Sequence, residues 1–256
     1  SRSQGERRTV SGGGLDSARR LETALQATRP DIMGNEDTKI DAIRAALSPH
    51  GIFLRGILHF DGDGPEMSGG RAQTVALLGN VGGSIWPAFS AWRSGHSDVA
   101  DPLDAWSVEI IRPIAEAVGG RAWFPSERPW QPFQQWAMRA EGLRPSPLGL
   151  LIHPDYGPWH GYRGAIGFIN RFDHRAAQPR PHPCDHCPDK PCLPACPASA
   201  ITPEGFDVAG CRTYLADEGE ATCMPSGCIA RNACPVGTEY RYPIEQLRFH
   251  MDALLR

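Results

Sequence analysis

Cys184-Asp-His-Cys187-Pro-Asp-Lys-Pro-Cys192-Leu-Pro-Ala-Cys196-Pro197 carries four of the chain's eight cysteines. The other four, Cys211, Cys223, Cys228 and Cys234, follow, and Pro235 closes the set. Bacterial ferredoxins use three closely spaced cysteines and a fourth, before proline, that ligates the other cluster. Two such sets supply the eight thiolates that two [4Fe–4S] clusters need. By that rule one cluster takes Cys184, Cys187, Cys192 and Cys234. The other takes Cys196, Cys211, Cys223 and Cys228. The spacing is looser than the rule, with four residues between Cys187 and Cys192 where two are usual. Structural zinc and disulfides are the competing readings. Zinc ribbons prefer two tight Cys-x-x-Cys knuckles, and here only Cys184/Cys187 has that form. A disulfide scaffold would spread its cysteines through the fold, whereas the first 183 residues have none. His182 and His186 flank the first ligand and read as surface histidines.

Free thiolates imply a reducing compartment, so a cytoplasmic location is expected. A net charge of −3 gives no polyanion-binding footprint, so nucleic acid is not favoured as a partner. No run of 18 apolar residues marks a membrane span. No apolar stretch follows Arg7-Arg8, so neither a secretory nor a twin-arginine signal is expected.

Working back from the cysteines, residues 176–242 read as the ferredoxin-like module. Residues 243–256 contribute a C-terminal helix from Ile244 to Leu255. Residues 36–175 read as an α/β domain, and residues 1–35, rich in Ser, Gly and Arg, as a flexible segment with a short helix near Leu15–Ala27. Ile40, Ile43 and Leu47 repeat at helical spacing behind Asp37, a candidate N-cap. Ile52–Phe60 reads as a strand, and Thr74–Leu78 as an apolar run entering a loop, Gly79-Asn-Val-Gly-Gly83. Trp86–Trp92 reads as helical. The spacing of Ile110, Ile111, Ile114 and Val118 predicts a helix over 102–118, with Pro113 inside it and Asp101 as its cap. Ala122–Phe124 reads as a short strand and Phe133–Ala140 as a helix. Leu148–Ile152 and Gly164–Ile169 read as buried strands flanking a long aromatic loop, His153 to Arg163. The expected class is α+β.

Three stretches resemble epoxyqueuosine reductase and its cobalamin-processing, nitroreductase-like relatives. They are Cys184–Pro197 with Ala198-Ser-Ala-Ile201, Asp207-Val-Ala-Gly-Cys211-Arg-Thr-Tyr-Leu215, and Gly149-Leu-Leu-Ile-His-Pro-Asp-Tyr-Gly-Pro-Trp159. The resemblance covers roughly the C-terminal half. It implies a nitroreductase-like domain that binds a corrinoid, joined to a dicluster ferredoxin domain. The family's Asp-Tyr-His motif is absent from His96–Trp106, and Arg144-Pro-Ser-Pro147 replaces the Gly-Lys-Asn of its corrinoid loop. Reduction of epoxyqueuosine in tRNA is therefore not expected. On this reading the clusters pass electrons to cobalamin, or less readily to flavin, for reduction of a small-molecule substrate. A reductase, ferredoxin or flavodoxin would supply the electrons. A non-enzymatic carrier with a docking domain and a zinc-stabilised binding module are the alternatives. Candidate cofactor contacts are Gly79, Gly82 and Gly83, where bare backbone admits a planar ligand, and Tyr156, Trp159 and Tyr162. Candidate proton donors are Asp98, Asp101, Tyr156 and His160.

Overall fold

A computed structural model describes residues 35–174 and 180–255. The segment around Leu15–Ala27 lies outside the described residues, as does the first half of the 176–183 linker.

The sheet is built on β4 (Thr74–Val81), whose residues Thr74 to Asn80 are all buried. A run apolar on both faces belongs to a strand covered on both sides. The order is β1 (Phe53–His59), β4, β8 (His160–Phe168), β5 (Arg121–Trp123), and every pairing is antiparallel. Alternation along β4 divides the core between two layers. Ala76 and Leu78 face α1 (Glu36–Leu47), α2 (Trp86–Arg93) and α3 (Pro102–Ala117), with Ile43, Phe89, Trp106 and Ile114 filling that side. Val75 and Leu77 face α4 (Phe133–Glu141) through Trp136, Ala137 and Ala140. The domain is thus helix on sheet on helix, an α+β arrangement.

Between Met67 and Gly70 a two-residue hairpin, β2 (Glu66–Met67) and β3 (Gly70–Arg71), turns the chain. A second small pair, β6 (Arg144–Pro145) and β7 (Leu151–Ile152), leads toward the cysteines. The cysteine region holds β9 (Ile201–Thr202), β10 (Gly205–Phe206), α5 (Val208–Glu218), α6 (Cys223–Ser226) and α7 (Ile229–Asn232). Finally α8 (Ile244–Leu255) joins the two halves. Its Phe249 enters the main core, with ring centroids 5.2 Å from Phe89 and 5.8 Å from Trp86. Met251, on another face, packs with Leu215 and Cys223.

Four local readings change. Asn35, not Asp37, caps α1, its Oδ1 accepting from the Asp37 amide at 3.1 Å. Asp101 does occupy the cap position of α3, but its side chain makes no capping bond. Gly79 and Asn80 belong to β4 rather than a loop, and β8 begins at His160, so only 153–159 of the aromatic stretch stays irregular. Of Leu148–Ile152 only Leu151 and Ile152 are strand.

Two bulges mark the sheet. Leu54 pairs with Leu78 while Gly56 pairs with Leu77, so Arg55 is the extra residue. Leu78 pairs with Gly164 while Gly79 pairs with Tyr162, so Arg163 is the extra residue. Bulges re-aim side chains, and here both re-aim an arginine at the level of Leu78. Gly79 makes the second bulge possible, because a Cβ there would stand 2.1 Å from the Gly161 carbonyl oxygen. Gly79→Ala is expected to force β4 from β8 and lower the unfolding free energy by about 2–3 kcal/mol. Chemical denaturation followed by circular dichroism checks this, and an unchanged midpoint contradicts it.

Candidate functional site

All eight cysteines are free thiols. Cys184 lies within the short turn Pro183–His186 and Cys187 ends it, Cys211 rides on α5, Cys223 opens α6 and Cys228 precedes α7. Cys184, Cys187, Cys192 and Cys234 line one hollow, walled by Leu148, Ile152, Pro191 and Val236. Burial pushes the Cys184 thiol up to about 11, and the thiols of Cys234, Cys192 and Cys187 push it the same way. Burial likewise pushes Cys211 up to about 11, with Cys228, Cys196 and Cys223 as its sulfur neighbours. Cys211, Cys223 and Cys228 pack beside Leu215 and Met251, while Cys196 and Cys228 meet beside Ala230. Backbone amides point at the sulfurs. The Ala200 amide donates to Cys196 Sγ at 3.3 Å. The amides of Val236 and of Arg231 favour thiolate at Cys234 and Cys228, although burial dominates and raises both. Burial holds the Cys184, Cys192 and Cys234 thiols toward the protonated form until a cation compensates the charge. Among the described residues no three His, Cys, Asp or Glu side chains converge as a single ion requires.

Beside the first hollow lies a buried polar cluster. Arg55 donates to Glu141 Oε2 at 2.9 Å, with side chains only 3% and 8% exposed. Its other amine donates to the Asn80 carbonyl at 3.0 Å. The guanidinium also sits 5.3 Å and 5.4 Å from the ring centroids of Tyr156 and Tyr162. Tyr162 donates its hydroxyl proton to Glu141 Oε1 at 2.6 Å, and burial followed by the Glu141 charge raises its pKa well above the usual phenol value. His153 stacks on Tyr156 at 4.1 Å, and its Nδ1 accepts the amides of Asp155 and Tyr156. Its Nε2 therefore carries the proton, 3.8 Å from Glu141. Burial, then Arg55, drives His153 down to about 4 and His160 down to about 3, so both are neutral imidazoles at pH 7.

The residues singled out from sequence separate. Tyr156, His160 and Tyr162 belong to this cluster. Asp98 and Asp101 lie exposed between α2 and α3, where Asp98 accepts from the Ser97 hydroxyl. Trp159 is fully buried, with Tyr242 and the guanidinium of Arg231 against its ring. The bare backbone of the three glycines is covered by the chain itself. A Cβ on Gly79 would meet Gly161, one on Gly82 the Tyr240 carbonyl at 2.9 Å, and one on Gly83 the Pro243 ring at 2.5 Å. Gly82 and Gly83 seat the C-terminal segment on the sheet, whereas Gly79 lets β4 approach β8. His182 is buried rather than on the surface, whereas His186 is exposed. Arg55 and Glu141 escaped the sequence reading. A charged residue inside the apolar strand Ile52–Phe60 was the available signal.

No protein-family model matches the chain, and no curated protein matches it. Among solved structures it is similar to a Caenorhabditis elegans B12-trafficking protein, CblC, a homologue of human MMACHC. The identity is 13% and the TM-score 0.48, over 86% of this chain and 97% of that one. It is also similar to epoxyqueuosine reductase from Bacillus subtilis, with 12% identity and a TM-score of 0.43, over 88% of this chain and 68% of that one. No helix among the described residues is long and apolar enough to cross a membrane.

Glu141→Gln would leave the Arg55 charge buried without its counterion. It is expected to lower stability by about 3 kcal/mol, whereas an exposed control such as Glu66→Gln, paired with Arg71 at the surface, stays within about 0.5 kcal/mol. Parallel denaturation curves check the contrast.

The histidines set the acid limb of the stability curve. The folded pKa of His160 lies near 3, below the value of about 6.5 expected in the unfolded chain. The folded state therefore binds fewer protons. This contribution is complete above pH 6.5 and is lost as pH falls toward 3, by about 2 kcal/mol at pH 5. Denaturation midpoints at pH 7 and pH 5 should show the loss in the native protein, and His160→Gln should reduce it by about 2 kcal/mol, leaving the parts due to His153 and His250. An equal loss in the variant would contradict the assignment.

Proposed function

We propose that the chain is an iron–sulfur electron-transfer protein that holds two [4Fe–4S] clusters. One would be bound by Cys184, Cys187, Cys192 and Cys234, the other by Cys196, Cys211, Cys223 and Cys228. The observation that carries this reading is the grouping of eight free thiols into two sets of four, the first around an apolar hollow. A cube holds its thiolates at separated corners, whereas zinc needs all four on one atom. Bound clusters would each supply one-electron redox chemistry. The chain's own part is to bind them with thiolates, to aim the amides of Ala200, Arg231 and Val236 at sulfur, and to exclude water with Leu148, Ile152 and Met251. Amide donors and burial are the protein's levers on cluster potential.

Four of the six residues drawn from sequence for a corrinoid are closed to one. Gly79, Gly82 and Gly83 are covered by the chain, and the Trp159 ring has no free face for a macrocycle. The α/β domain then serves as a dock for the electron donor or acceptor, which a partner or substrate brings. A cytoplasmic setting goes with this reading, because free thiolates need a reducing compartment.

Anaerobic reconstitution tests the proposal. About eight irons and eight acid-labile sulfides per chain are expected. Cys192→Ser and Cys223→Ser should each retain about half of both. A colourless protein with bound zinc would overturn the reading. Cobalamin added to the reconstituted protein should leave its visible spectrum unchanged, and saturable spectral changes would restore the corrinoid reading.

A further inference from the structure

Around Trp159 lies a corner rich in donors. Arg163 reaches it from the β4–β8 bulge. Arg231 reaches it from α7, at 4.7 Å from the ring centroids of both Trp159 and Tyr242. Gln246 and His250 stand one helical turn apart on α8, on the face that the preceding Tyr242 shares. The Tyr242 ring is 5.6 Å from Trp159 and 5.5 Å from His250.

The cluster has more unmatched donors than acceptors, four N–H groups against the one Gln246 carbonyl oxygen. Among the described residues, Arg163 Nε, Arg231 Nε, Trp159 Nε1 and both amide atoms of Gln246 are buried without a hydrogen-bond partner. Gln246 is 1% exposed and Trp159 is fully buried. Neither arginine has a carboxylate within ion-pair distance among the described residues. Arg231 uses one amine on the Pro158 carbonyl, and Asp104 reaches Arg163 only through its field. Burial, then the charges of Arg231 and Arg163, holds His250 down at about 3, so the imidazole adds no positive charge. Two buried guanidiniums without a counterion are costly, and so is each unmade bond. Arg163, Arg231 and His250 each retain some solvent exposure, although the Nε atoms of both arginines are buried.

We propose that this corner binds a phosphate group, held by Arg163 and Arg231 and oriented by the Trp159 indole and the Gln246 amide. A phosphate is acceptor-rich and, as a dianion, matches two guanidiniums, which present paired N–H groups to its oxygens. A carboxylate offers one charge and two oxygens, and so would leave a donor and a positive charge unmatched. The site is independent of what fills the cysteine hollows, although Arg231 is shared ground: its backbone amide serves Cys228 and its charge acts on Cys234.

The test is calorimetric titration of the reconstituted full-length protein with inorganic phosphate, in chloride buffer at fixed ionic strength. One saturable site is expected. Arg163→Gln should weaken it at least tenfold. Trp159→Phe, which keeps the ring and removes the N–H, should weaken it three- to tenfold and stands in if the first variant does not fold. Arg121→Gln, an exposed arginine outside the cluster, should bind phosphate as the native protein does. Acetate should bind at least tenfold more weakly than phosphate. No saturable heat would mean that only water fills the corner and would overturn the proposal. So would equal binding by folded Arg163→Gln and Trp159→Phe, equal loss in Arg121→Gln, or acetate binding as tightly as phosphate.

Discussion

Cys234 has to come back to a hollow whose other three cysteines lie about forty to fifty residues earlier, and much of the molecule follows from that return. The segment after it cannot leave freely. Val236 and Gly237 press backbone to backbone against Asp155–Gly157, so closely that a Cβ on Gly157 would stand 2.0 Å from the Val236 carbonyl oxygen. Tyr240 then meets Tyr156, Tyr242 meets Trp159, and Pro243 lies on Gly83. Only after this does α8 begin, with Phe249 in the main core and Met251 among the cysteines. One chain reversal thereby closes the first hollow, covers the end of the sheet and ties the two halves together.

That closure explains why polar side chains are buried at the seam. Arg55 and Arg163 emerge from bulges at one level of the sheet, Arg55 against Tyr156 and Tyr162 and Arg163 near Tyr242 of the returning segment. Arg55 finds Glu141, and the pair organises His153, Tyr156 and Tyr162. Arg163 makes no ion pair among the described residues, and Asp104 acts on it only through its field. The two arginines thus divide the seam into a satisfied half, beside the first cysteine hollow, and a donor-rich half beside α7 and α8. A structural role is sufficient for the first half. The second half calls for a ligand.

Much of this was legible in the sequence for identifiable reasons. The cysteines stood out because few other side chains do their chemistry, and the spacing of Ile110, Ile111, Ile114 and Val118 reads as one helix whatever surrounds it. Central β4 betrayed itself by its unbroken apolar run. Other features were hidden because their cause is tertiary. Gly79 reads as a turn residue, yet it is needed for close approach to Gly161 on a strand far along the chain. His160–Arg163 reads as an aromatic loop, yet pairing with β4 makes it strand. Asn35 and Asp37 are both good caps locally, and only the backbone decides between them. The Arg55–Glu141 pair joins residues 86 apart, beyond any local pattern.

The central claim is that the eight thiols serve two iron–sulfur cubes set close together. Low-temperature electron paramagnetic resonance of the anaerobically reconstituted, dithionite-reduced protein tests it most directly. The account predicts two reduced [4Fe–4S] centres whose signals broaden and split through mutual magnetic interaction, collapsing to one simple signal in Cys192→Ser or Cys223→Ser. A reduced protein without a paramagnetic iron–sulfur signal, or one whose signal is untouched by either substitution, would contradict it.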